Sequence, residues 1–160
     1  MSSNFYLYID CITGECQDAD HKGWFDVNSF TWGAIQPGNM NIGSGSGIGK
    51  VQYRDLTVLS TVDKGTSTIL KYTSNGKHIK KVEISACKAG DKPLEYCRIT
   101  LEDVIITGVT YTGANEKGGI GIAYQFQASR VKHCYWEQLA TGSKGAAFES
   151  GWDIKAHCAI

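Results

Sequence analysis

Extended segments with two-residue periodicity run through most of this chain and leave room for one convincing helix. From Leu94 to Thr112 apolar and β-branched residues recur without an intervening proline. A stretch of that length predicts a long strand. The same alternation predicts strands over Phe5–Ile9, Trp24–Trp32, Val51–Val62, Val82–Ala86 and Ile120–Val131. Phe5, Leu7 and Ile9 share one face of the first. Phe25 and Val27 share a parity that Phe30 and Trp32 leave, so a bend or bulge is expected near Asn28. Leu56, Val58, Ser60 and Val62 share one face, and Tyr53, Asp55, Thr57 and Leu59 the other. The helix is expected over Thr66–Ser74, capped by Asp63 and stopped by Asn75-Gly76.

Nineteen glycines against two prolines supply the turns and bulges such strands need. Gln36-Pro37-Gly38-Asn39 reads as a turn, Gly108 as a bulge and Gly113 as a turn. Gly142–Gly151 reads as a small-residue loop, with Trp152–Cys158 as a last strand. No βαβ alternation and no internal repeat is visible. The expected fold is therefore all-β, a mainly antiparallel β-barrel with one short α-helix, in a single domain over 1–160. A chain of 160 residues buries enough surface to fold without disulfide or metal.

Composition excludes several classes. Sixteen basic residues balance sixteen acidic ones, which disfavours a nucleic-acid binder reliant on phosphate contacts. No apolar run approaches the ~18 residues of a membrane span. Met1–Asp10 has neither a basic leader nor a long apolar core, so a cytosolic origin is expected, with any export by a route other than a signal peptide. Six cysteines (Cys11, Cys16, Cys87, Cys97, Cys134 and Cys158) are read mainly as reduced structural thiols. Cys11-x4-Cys16-x4-His21, His133-Cys134 and His157-Cys158 are the alternative zinc elements, but none has the tight knuckle spacing zinc sites favour.

No reaction chemistry emerges from local motifs. Gly43-Ser44-Gly45-Ser46-Gly47-Ile48-Gly49-Lys50 superficially suggests a phosphate loop. Ser44 stands where the first glycine belongs, Val51 follows the lysine, and a strand rather than a helix comes next. A connecting loop able to order against a neighbouring subunit is the better reading. His21, His78, His133 and His157 accompany no nucleophile elbow and no paired zinc motif. Glu102 and Asp103 would point to opposite faces of a strand and cannot act as a carboxylate pair. Neither catalysis nor a cofactor is expected. Trp24, Trp32, Trp136 and Trp152 are read as packing residues, with a sugar platform as the alternative.

A resemblance joins these pieces. It runs through His21–Gly33, Gln36-Pro37-Gly38, the glycine loop to Val51, Ile69–Tyr72 and Gly76–Ile79. It continues through Cys87–Gly90, Leu94–Tyr96, Ile99–Val104, Tyr135–Gln138 and Gly151–Ile154. In that order they resemble the haemolysin-coregulated protein family of bacterial type VI secretion. The resemblance implies a β-barrel subunit forming a homo-hexameric ring, with rings stacked into a tube. It implies spike, sheath and baseplate proteins as partners, and secreted effectors carried and chaperoned in the lumen. It also implies a cytoplasmic protein that is then expelled through the type VI machine, with no membrane insertion. Residues Gly43–Lys50 resemble the family's extended loop, which reaches an adjacent subunit or ring. Ser29 and Thr31 alternate with Phe30 and Trp32, and this polar parity is expected to face the lumen. Exposed thiols such as Cys158 are expected to be able to cross-link rings under oxidising conditions. The match reaches almost to Ile160, so no appended toxin domain is expected. The competing reading is a monomeric β-barrel ligand-binding module with no secretion role.

Overall fold

The computed structural model describes residues 3–38, 40, 49–115 and 119–160. Among these residues, eleven strands and one helix follow in order: β1 (Ser3–Ile9), β2 (Phe25–Val27), β3 (Ser29–Thr31), β4 (Ala34–Ile35), β5 (Gln52–Tyr53), β6 (Leu56–Thr61), α1 (Thr66–Asn75), β7 (Ile79–Lys88), β8 (Leu94–Thr112), β9 (Gly121–Gln138), β10 (Lys144–Asp153) and β11 (Cys158–Ala159). All pairings are antiparallel.

The two long strands organise everything else, because each belongs to both layers. The first half of β8 and the second half of β9 sit in a large layer ordered β2-β1-β7-β8-β9-β10-β11. The other halves pair with each other, and β9 carries on to β6 and β3. Leu7, Ile9, Phe25, Leu56, Val58, Ile84, Leu101, Val104, Tyr124 and Phe126 fill the space between the layers and are fully buried. Burial of this kind contributes roughly 25 cal/mol per Å² of apolar surface.

The all-β architecture with one short helix agrees with the sequence, but the ladder is not closed as a barrel. The gap falls between β2 and β6, where Asn28 bends the chain. There the Asn28 N–H donates to the Leu59 carbonyl at 2.8 Å, and Ser60 Oγ donates to the Asp26 carbonyl at 2.6 Å. These contacts join the layers without a paired strand.

Other expectations need correcting at the ends. Helix α1 begins after Gly65, which carries no side-chain cap. Asp63 instead accepts the N–H groups of Gly65 and Glu15, tying the helix approach to the first loop. Gly76 closes the helix in the left-handed conformation at φ 66°, as its sequence position predicts. The expected strand over Val51–Val62 is broken between Tyr53 and Leu56. Residues Gly142–Gly151 are mostly strand rather than loop, and Trp152–Cys158 is the end of β10, a turn and the start of β11.

Candidate functional site

The bend at Asn28 and the register of β3 on β6 decide where the polar parity goes. Ser29 lies opposite Leu59 and Thr31 opposite Thr57. Leu59 and Thr57 in turn face Ala123 and Gln125 on β9, which face Thr110 and Gly108 on β8. Thr61, Gly121 and Thr112 form a third row. Directly opposed residues share a face, so these rows make one continuous surface over four strands. Inside its rim it carries hydroxyls, small side chains, one amide and the exposed Leu59, and no charge. Both Ser29 and Thr31 are exposed on it. At one rim Asp55 accepts from Thr107 at 2.6 Å and from Gln127 at 3.3 Å.

Of the glycine loop, Gly43–Ile48 lie outside the described residues. Its base is a two-stranded ribbon, with Ala34 opposite Tyr53 and Ile35 opposite Gln52. Gly49 packs against Pro37 so closely that an added Cβ would lie 2.8 Å from Pro37 Cγ. Lys50 is exposed.

The outward face of the large layer is the opposite in character. Lys81, Glu83, Arg98, Glu102, Arg130, Lys132 and Asp153 form a lattice of ion pairs, including Arg130 with Glu102 at 3.5 Å and with Asp153 at 3.6 Å. At its β1–β7 end the segment before β2 folds over the sheet and covers a polar chain whose middle, His21 and Ser85, is buried. His21 Nδ1 faces Asp18 Oδ2 at 2.6 Å, and Nε2 faces Ser85 Oγ at 3.2 Å. Ser85 donates to Glu95 Oε2 at 2.6 Å, where Arg98 Nε also donates at 2.8 Å. Burial pushes the Glu95 carboxyl up, but the Ser85 and Arg98 hydrogen bonds outweigh it and hold it below its ordinary value. The hydrogen bond from His21 holds Asp18 low as well.

Asp18, His21 and Ser85 are arranged like a hydrolytic triad, a grouping sequence reading missed. It is not armed for attack. Ser85 is fully buried, and its proton is committed to Glu95 rather than to the imidazole. A second trio also fails this test: Ser129 and His78 both bond to Asp103 rather than to each other.

The six cysteines are free. Burial pushes the Cys16 thiol up to about 11 and raises Cys87, Cys97 and Cys134, so these four are protonated and weak nucleophiles at neutral pH. Cys11 and Cys158 are exposed. The alternative zinc spacing assembles no ligand set among the described residues: Cys11 is exposed, Cys16 is buried beside Tyr6 and Cys87, and His21 is taken by Asp18 and Ser85. Trp24, Trp32 and Trp152 pack against the cores, whereas Trp136 sits under Lys144, whose Nζ is 3.5 Å from the ring centroid.

Sequence reading also missed an apolar patch. Phe148 on β10 lies opposite Tyr135 on β9, and they are 56% and 42% exposed. Leu139 at the adjoining turn is 46% exposed.

A broad four-strand surface uncharged inside its rim and a small exposed apolar patch are thus prominent external features of this antiparallel protein, and comparison with known proteins identifies the class as a type VI secretion component. The family model described as type VI secretion system effector, Hcp, matches residues 6–135. Protein hcp1 of Pseudomonas aeruginosa is 31% identical over 157 residues, 97% of each chain. The crystal structure of Hcp1 from Salmonella typhimurium is similar along 100% of both chains, at 30% identity and a TM-score of 0.83. A type VI secretion system effector from Yersinia pestis is similar at 27% identity and a TM-score of 0.74, over 94% of this chain and 99% of that one. This chain belongs to the Hcp family of type VI secretion tube proteins.

Proposed function

We propose that the chain is the repeating subunit of the type VI inner tube: six copies form a ring, and rings stack. In this reading the uncharged surface around Ser29 and Thr31 lines the lumen and holds small secreted effectors during export. Spike, sheath and baseplate proteins are the other partners, and the chain moves from cytoplasm to exterior with the machine. The role is structural and needs no reacting centre.

One observation on this chain carries the reading beyond family membership. The four-strand surface is broad, exposed and uncharged inside the Asp55 rim, while the opposite layer carries an ion-pair lattice. A passage for varied cargo gains from a surface that neither attracts nor repels by charge and offers adaptable hydroxyls. The Tyr135–Phe148 patch supplies an apolar contact suited to the join between subunits.

Light scattering after size exclusion tests the ring. The expected mass is about six times the 17.4 kDa subunit. Phe148→Arg is expected to give a folded monomer, and Thr31→Arg a ring of unchanged mass with reduced effector retention. A wild-type monomer across the micromolar range would overturn the reading in favour of a lone binding module.

A further inference from the structure

A cleft of about 440 Å³ opens where β8 and β9 pass from one layer to the other. Its floor is made by core side chains: Leu101, Phe126 and Val131 are at most 3% exposed and still reach it. One wall is aromatic, with Trp32 and Tyr53 stacked at 5.8 Å and 27°. The rim is charged. Asp103 there takes His78 Nδ1 at 2.9 Å on one oxygen, and Ser129 at 2.7 Å and Lys155 at 3.2 Å on the other. Arg54 is exposed on the same rim and makes no ion pair among the described residues.

These facts favour one ligand chemistry. The floor and the stacked wall suit a flat apolar body. The lone carboxylate is already served by three donors, so it is poorly placed to hold a cation. Arg54 is a forked donor with no acid opposite it, and Lys155 is 74% exposed with donors to spare. We propose that this cleft binds a carboxylate carried on a planar apolar body, with the ring against Trp32 and Tyr53 and the acid at Arg54 and Lys155. The inference goes beyond the tube role and does not depend on ring formation.

The test is calorimetric titration of the full chain with 3-phenylpropionate and with its neutral amide. The acid is expected to bind about tenfold more tightly, as a charge-assisted fork contact implies. Arg54→Gln should remove most of that preference with no change in melting temperature. Ile154→Trp, which adds bulk to the cleft lining, should abolish binding of both. In the NMR spectrum the Trp32 indole N–H, assigned through Trp32→Phe, should shift on titration while that of Trp136 stays in place. Equal binding of acid and amide, no binding, or an unaffected Arg54→Gln protein would overturn the proposal. An acetylated peptide ending in phenylalanine offers the same group on a polypeptide. Tighter binding of the peptide than of the free acid assigns the source to a protein chain end, and weaker binding assigns it to a small aromatic acid.

Discussion

Asp103 shows how much of the fold can rest on one residue. Before it, β8 puts odd-numbered Ile99 and Leu101 into the core; after it, even-numbered Val104 and Ile106. β9 makes the matching change between Phe126 and Val131. The backbone at Asp103 has φ 52°, a region aspartate tolerates better than most residues. Its side chain holds the corner together, and hydrogen bonds from His78, Ser129 and Lys155 keep its carboxyl well below the usual carboxylate range. Asp103→Ala should therefore cost about 1–3 kcal/mol in urea unfolding. Asp103→Asn, which keeps the backbone tolerance, should cost less. Glycine positions give a second contrast. A Cβ at Gly14 would lie 2.5 Å from the Trp24 carbonyl oxygen and 2.9 Å from Phe25 Cγ, so Gly14→Ala should destabilise by about 2 kcal/mol or more. At Gly108 the obstacle is the mobile amide end of Gln125, so Gly108→Ala should lose less than about 1 kcal/mol.

At the scale of elements, β10 makes a sharper prediction than its composition suggests. The Gly151 carbonyl accepts from Ile160, so Gly151 points its backbone groups away from β9. Strand alternation then turns Ala147 and Glu149 outward and Phe148 and Ser150 toward β9, within the constant register from Ala147 to Asp153. Proline at Glu149 removes no ladder hydrogen bond and should leave a folded protein by circular dichroism. Proline at Ser150 removes one and should cost about 3 kcal/mol. This strand was the least legible part of the sequence. Gly145, Ala146, Ala147 and Gly151 have too little side chain to display alternation, and the segment is strand because β9 pairs with it. β8 was legible to its ends because its large residues alternate. The bend at Asn28 was legible from the parity switch between Val27 and Phe30. Ser29 and Thr31 were readable as a polar face for the same reason. Their neighbours Leu59, Ala123 and Thr110 were not, because only register places them there. The Asp18–His21–Ser85–Glu95–Arg98 chain draws on three separate segments, and no local spacing announces it.

For the whole molecule, the partly buried polar chain and the Asp103 corner set the response to acid. Asp18, Glu95 and Asp103 are all depressed in the folded state. A depressed carboxyl contributes stability that is present above its unfolded value of about 4 and lost as pH falls through the lower folded value. The unfolding midpoint in urea should accordingly be nearly level from pH 7 to about 5 and fall steadily below about pH 4. Glu95 should contribute more of that fall than Asp103, because its side chain is 14% exposed and that of Asp103 is 42% exposed and screened by water. Removing the carboxyl separates the charge from the structural role. Glu95→Gln keeps an acceptor for Ser85 and Arg98, so its midpoint at pH 7 should fall modestly and its acid slope should flatten. Glu95→Ala leaves Ser85 and Arg98 without their shared acceptor and should cost about 2–3 kcal/mol at pH 7. Urea titrations of the three proteins at pH 7, 5 and 3 make the comparison. An acid slope in Glu95→Gln as steep as in the wild type would show that the response originates elsewhere, and would remove the polar chain from this account of stability.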